Sequence, residues 1–131
     1  MSVTITPFLR NALNADALIS CAAGLVMMGG ANFLSPFLEL PAPLLFGAGL
    51  ALVPFVAMLV VVARRQTVSR LVLIDIIAIN ALWVIGSVAL LVSGAVAPNL
   101  LGILFVAAQA VAVALFAELQ FVGMRRAAAA A

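Results

Sequence analysis

Histidine, tyrosine and lysine are absent from the 131 residues, and cysteine occurs once, as Cys21. A single cysteine excludes an intrachain disulfide and any cysteine-rich metal or iron–sulfur site. Without histidine, the usual haem ligands, the histidine-bearing zinc sites and the commonest general base are missing as well. Charge is scarce too: 8% of residues are charged, where a soluble domain has roughly a quarter. No nucleophile, metal set or cofactor motif accompanies the few carboxylates. The residues therefore point away from an enzyme, and no cofactor or metal is expected.

What the chain has is apolar length. Hydrophobic residues make up 68% of it, and the mean hydropathy is +1.40. That leaves too little polar surface to cover a soluble domain, so lipid is the expected solvent. The net charge of +2 is no sign of nucleic-acid binding. The six basic residues are all arginines, placed at three boundaries of apolar runs, and no basic face exists to track a phosphate backbone.

Four stretches reach the roughly 20 residues that cross a bilayer. They fall at about 13–34, 44–63, 71–92 and 99–122, which predicts an all-α membrane protein: one domain over 1–131, a four-transmembrane-helix bundle running up and down. The breaks are "SPFLELPAP" (35–43), with three prolines and one acid, the polar "RRQTVSR" (64–70), and "SGAVAP" (93–98), read as a tight turn. Pro7 after Thr6 has the form of a helix start with Thr6 as its cap, so the first helix can begin before its apolar run. The terminal alanine run either extends the last helix or frays. A cleaved signal peptide fits poorly, because the first apolar run is long and lacks a small-x-small site.

Arg10 precedes the first span, Arg64, Arg65 and Arg70 lie between the second and third, and Arg125 and Arg126 follow the fourth. The other two loops carry no basic residue. The positive-inside rule then places both termini in the cytoplasm. The halves also rhyme. Arg10, Asp16, "PLLFG" (43–47) and Arg64-Arg65 parallel Arg70, Asp75, "PNLLG" (98–102) and Arg125-Arg126. Either the chain is two tandem helix hairpins related by an axis along the membrane normal, or two arginine-flanked hairpins look alike by chance.

Acids inside apolar spans nearly always face a bundle interior or water. At about 100° per residue, Asp16 shares a stripe with Ser20, Ala23, Met27 and Gly30. Asp75 shares one with Ala78, Leu82, Gly86, Ala89 and Ser93, and Glu118 stacks over Ala110 and Ala114. Small-residue faces are where membrane helices approach one another, so all three acids are expected inside, at a similar depth near the arginine end. There they either pair with Arg64, Arg65, Arg70 or Arg125, form a proton or cation vestibule, or snorkel to the interface. Asn80 lies about 140° from Asp75 on span three, on a face with Trp83 and Ser87. Gln109 on span four is its expected hydrogen-bond partner, and the alternative is that this face lines a ligand cavity with Trp83 as a wall. Pro54, mid-span in the second helix, predicts a kink or hinge.

The strings "LPAPLLFGAGLALVPF", "NALWVIGSVALL" and "FAELQF", in this order, resemble a family of small bacterial four-span integral membrane proteins. The resemblance runs from about Asp16 to Arg126. It implies the four-helix fold and a bacterial inner (cytoplasmic) membrane, and brings no activity or catalytic residue with it. The small multidrug-resistance transporters are similar in size alone. Their essential glutamate lies mid-span, whereas Asp16 is expected at the edge of span one.

Three functions remain open from the residues. The first is a non-enzymatic structural or accessory bundle that self-associates or joins a larger membrane complex. The second is a small proton- or cation-coupled transporter or channel using Asp16, Asp75 and Glu118. The third is a binder of an apolar, lipid- or quinone-like ligand beside Trp83.

Overall fold

The computed structural model describes residues 1–130. Five helices and two short strands follow in order: β1 (Ser2–Thr4), α1 (Pro7–Gly29), α2 (Ala31–Leu38), α3 (Ala42–Ala63), β2 (Thr67–Ser69), α4 (Arg70–Val92) and α5 (Leu100–Ala130). Helices α1, α3, α4 and α5 are each long and apolar enough to span a membrane. The chain is a multi-pass membrane protein whose four spans are all helical. Its outer surface carries the apolar side chains that lipid would solvate, among them Leu18, Leu50, Leu82 and Val111.

Local chemistry sets the helix ends. The Thr6 hydroxyl accepts from the Leu9 amide at 3.2 Å, with Pro7 in the first turn. The first helix therefore begins at Pro7, six residues before the apolar run. It ends at Gly29, because the chain breaks at Gly30 and restarts as α2. The stretch 35–43, read as a loop, is thus helical as far as Leu38. Glu39 closes α2 in the left-handed conformation, at φ 53°. Phe33 and Phe37 lie exposed on the outside of α2 as a tilted ring pair with centroids 5.0 Å apart. Pro54 sits within an uninterrupted α3. The alanine run continues α5 as far as Ala130.

Two hairpins make the bundle. Helix α1 packs mainly on α3, α4 mainly on α5, and the hairpins meet chiefly through α1 and α5. Close approach of α1 and α3 depends on Gly49, where an added Cβ would lie 2.7 Å from the Gly24 carbonyl oxygen and 2.7 Å from Met28 Cγ.

Each end of the bundle is clasped. At the arginine end β1 pairs antiparallel with β2 in the register Ser2–Ser69, Val3–Val68, Thr4–Thr67. The strand period of two turns Val3 and Val68 inward and leaves their neighbours exposed. Arg10 adds a second tie, donating from Nε to the Ala63 carbonyl at 2.8 Å and from Nη2 to the Arg65 carbonyl at 3.0 Å. A guanidinium there satisfies carbonyls that the end of α3 leaves unpaired. The last turns of α5 return to the same end, where the Arg126 guanidinium lies 5.0 Å from the centre of the Phe8 ring. At the far end Asn99 caps α5 by accepting from the Gly102 amide at 2.9 Å, and donates from Nδ2 to the Phe37 carbonyl at 2.7 Å. All six arginines therefore lie at one end, together with β1 and the last turns of α5.

Candidate functional site

Polar side chains are concentrated where the hairpins meet. Asp16 is 0% exposed, Gln120 1%, Asn80 3% and Ser20 7%. Asp16 Oδ2 accepts from Asn80 Nδ2 at 2.8 Å and from Gln120 Nε2 at 2.7 Å, and Asp16 Oδ1 accepts from the Ser20 hydroxyl at 2.9 Å. Asn80 Nδ2 also donates to Gln120 Oε1 at 3.0 Å. One carboxylate thus gathers α1, α4 and α5.

This geometry corrects the expected acid cluster. Asp75 and Glu118 are exposed on the outer surface of α4 and α5, and do not join Asp16. The stripe of Asp75, Ala78, Leu82, Gly86 and Ala89 is also exposed, so the small-residue face of span three points outward. Helix geometry explains the choice. Glu118 and Gln120 are about 200° apart, and Asp75 and Asn80 about 140°, so one member of each pair must face away from the bundle. On α4 the acid is the one nearer the arginine end and can reach the headgroups by snorkelling, whereas Asn80, five residues further along the helix, goes inside.

The arginines do not pair with Asp16, whose partners are a hydroxyl and two amides. Arg64, Arg65 and Arg70 are exposed. Arg125 lies over the Phe121 ring at 5.7 Å. Asp16 lies ten residues past the cap Thr6, about 15 Å along α1, and three residues past the start of the apolar run at residue 13.

Asn80 is buried, as its face predicted, but its partners are Asp16 and Gln120 rather than Gln109. Gln109 belongs to a second network. Its Oε1 accepts from Trp83 Nε1 at 2.6 Å, and its Nε2 donates to Ser87 Oγ at 2.9 Å and to the Val106 carbonyl at 2.8 Å. Ser87 in turn donates to the Trp83 carbonyl at 2.7 Å. The face with Trp83, Ser87 and Gln109 is real, and it locks α4 to α5. The halves also match differently from the sequence rhyme. Asp16 stands ten residues past the cap Thr6, and Asn80 eleven past the cap Ser69. The buried counterpart of Asp16 is Asn80, not Asp75.

Beside these networks lies a cavity of about 220 Å³. Met27, Phe55, Phe105 and Phe116 make much of its wall, Trp83 and Gln109 one side, and Ser20 and Asn80 its polar end. Ile19, Ala51 and Ile79 line it and are also exposed outside, so it opens sideways through the seam between the hairpins. An apolar chamber with a few fixed polar groups is the usual form of a small-molecule site. No group of three or more potential metal ligands occurs among the described residues.

Gln120 was missed in the sequence, although a signal was present. Gln109 and Gln120 are eleven residues apart, three turns of helix, and so share a face. Comparison with known protein families, with curated proteins and with solved structures finds no match.

Proposed function

We propose that the protein is a non-enzymatic membrane bundle that binds a small, largely apolar molecule dissolved in the bilayer. The observation that supports this reading is the side-opening chamber lined by Phe55, Trp83, Phe105 and Phe116. Its volume exceeds the roughly 150 Å³ of an engineered apolar cavity that takes up benzene, and its mouth faces the region where such molecules dissolve. The resemblance to small bacterial four-span proteins and the arginine pattern support the reading of a bacterial inner membrane with both termini cytoplasmic.

Trp83 is the single tryptophan and stands in the chamber wall, so its fluorescence reports occupancy. Bromobenzene, a heavy-atom quencher, is expected to quench Trp83 saturably in nanodiscs. Filling the chamber by Ala112→Phe is expected to abolish the saturable part. Linear quenching that Ala112→Phe leaves unchanged would remove the reading.

A second reading, self-association or a place in a larger complex, draws on the outward stripe of α4. Asp75, Ala78, Gly86 and Ala89 form an open face of the kind that admits another helix, and an added Cβ at Gly86 meets nothing within 4 Å. In a Cys21→Ser background, Gly86→Cys should form a disulfide-linked dimer in membranes if this face joins two copies. A chain that stays monomeric under oxidation rejects contact through it.

A further inference from the structure

The hydrogen bonds of the polar cluster leave a definite imprint on the chamber. Both hydrogens of Asn80 Nδ2 are committed, one to Asp16 Oδ2 and one to Gln120 Oε1. The orientation of that amide is fixed by chemistry, because a carboxylate oxygen accepts and an amide oxygen cannot donate to it. Asn80 Oδ1 is then the free end of the side chain, and no donor is directed at it. Among the described residues no sealed side-chain nitrogen or oxygen lacks a partner. Oδ1 therefore opens onto a void, and the void that Asn80 lines is the chamber.

Ser20 is treated in the same way. Its hydroxyl hydrogen goes to Asp16 Oδ1, so what Ser20 can offer the chamber is oxygen lone pairs. Gln109, the third polar lining residue, spends its oxygen on Trp83 and its nitrogen on Ser87 and Val106. The polar end of the chamber thus contains acceptors and no free donor.

From this we infer that the ligand carries a hydrogen-bond donor: a neutral, membrane-soluble phenol or alcohol whose hydroxyl donates to Asn80 Oδ1, with Ser20 Oγ as the neighbouring acceptor. An acceptor-only head group such as a quinone carbonyl would meet oxygen with oxygen. A cation fits poorly as well. Asp16 is fully buried and does not line the chamber, so an ammonium group would be stripped of water with no countercharge in contact, which is strongly unfavourable. Asp16 is a positioning residue here: by taking the donors of Asn80 and Ser20, it makes the chamber end an acceptor.

This inference rests on the chamber being a binding site, and the test separates the two. Two probes of nearly equal size, 4-bromophenol and 4-bromotoluene, differ in whether a hydroxyl or a methyl group stands opposite the bromine. Both quench Trp83, and both are titrated into wild-type protein in nanodiscs, with affinities referred to the mole fraction dissolved in the bilayer. One hydrogen bond predicts that the phenol binds about 5- to 10-fold more tightly. In Asn80→Leu the ratio should fall to about one, while 4-bromotoluene still binds and so reports an intact chamber. Equal affinities in the wild type, or a ratio that survives in Asn80→Leu, overturn the donor inference and leave the chamber reading standing. Absence of saturable quenching by either probe overturns both. Tighter binding of 4-bromobenzylamine, in its ammonium form, than of the phenol overturns the neutral-donor assignment in favour of a cation.

Discussion

Replacing Asp16 by leucine removes the acceptor of three hydrogen bonds and leaves two amide side chains, on α4 and α5, facing a hydrocarbon group. The bonds alone set a modest floor, since interhelical hydrogen bonds in membrane proteins average about 0.6 kcal/mol. Stranded donors set the larger figure, at about 1–3 kcal/mol for each buried group left unpaired. Asn80 keeps its bond to Gln120 Oε1, so Gln120 Nε2 is the donor most exposed to the loss. Together these give an expected destabilisation of about 2–4 kcal/mol for Asp16→Leu. The assay is reversible unfolding in mixed micelles, with the fraction unfolded followed as denaturing detergent is added. Asp75→Leu and Glu118→Leu, at exposed positions, serve as matched controls and should shift stability by less than about 0.5 kcal/mol. Asp16→Asn, which keeps one acceptor oxygen, should fall between. An Asp16→Leu protein as stable as wild type, or controls as damaging as Asp16→Leu, would refute the assignment of Asp16 as the carboxylate that joins the hairpins.

Two further outcomes follow from the backbone. Gly49→Ala should cost about 1–3 kcal/mol in the same assay, because its Cβ meets the Gly24 carbonyl and Met28 at 2.7 Å; Gly24→Ala, with its nearest contact at 3.4 Å, should be nearly silent. Equal effects at both positions would mean that α1 and α3 are not seated at Gly49. Glu39→Gly should raise stability by about 0.5–1 kcal/mol, by relieving a side-chain-bearing residue held at φ 53°; a loss of stability would show that the carboxylate makes a contact that matters.

The sequence made the number of spans, the helix start at Thr6-Pro7 and the common end of the arginines legible, because each has a local signal: length, a cap, or charge. It put the Asp16 face of α1 inward correctly but wrongly turned Asp75 on α4 and Glu118 on α5 inward as well. In water an amphipathic stripe tells which face looks inward. In a bilayer both the packed and the outer face are apolar, and small residues such as Gly86 and Ala89 occur on an open face here. Asp75 and Glu118 misled for a second reason, since their formal charge gave them more weight than Asn80 and Gln120. On α4 a carboxylate near the arginine end can face either way, whereas Asn80, further along the helix, has to find a partner. Reading the amides before the acids would have found the site: Gln109 and Gln120 share one face of α5, and Asp16 and Ser20 one face of α1. The clasp of β1 on β2 joins segments far apart in the chain, and three-residue strands are too short to announce themselves.

That clasp also sets an order of events. Thr67–Ser69 is synthesised after both helices of the first hairpin, so Ser2–Thr4 has no partner until the hairpin is complete. Until then Val3 and Ile5, buried in the finished bundle, have no surface to cover. The α1–α3 contact at Gly49 does not involve the clasp, whereas the clasp closes only after α3 is complete, where the chain turns back to begin α4.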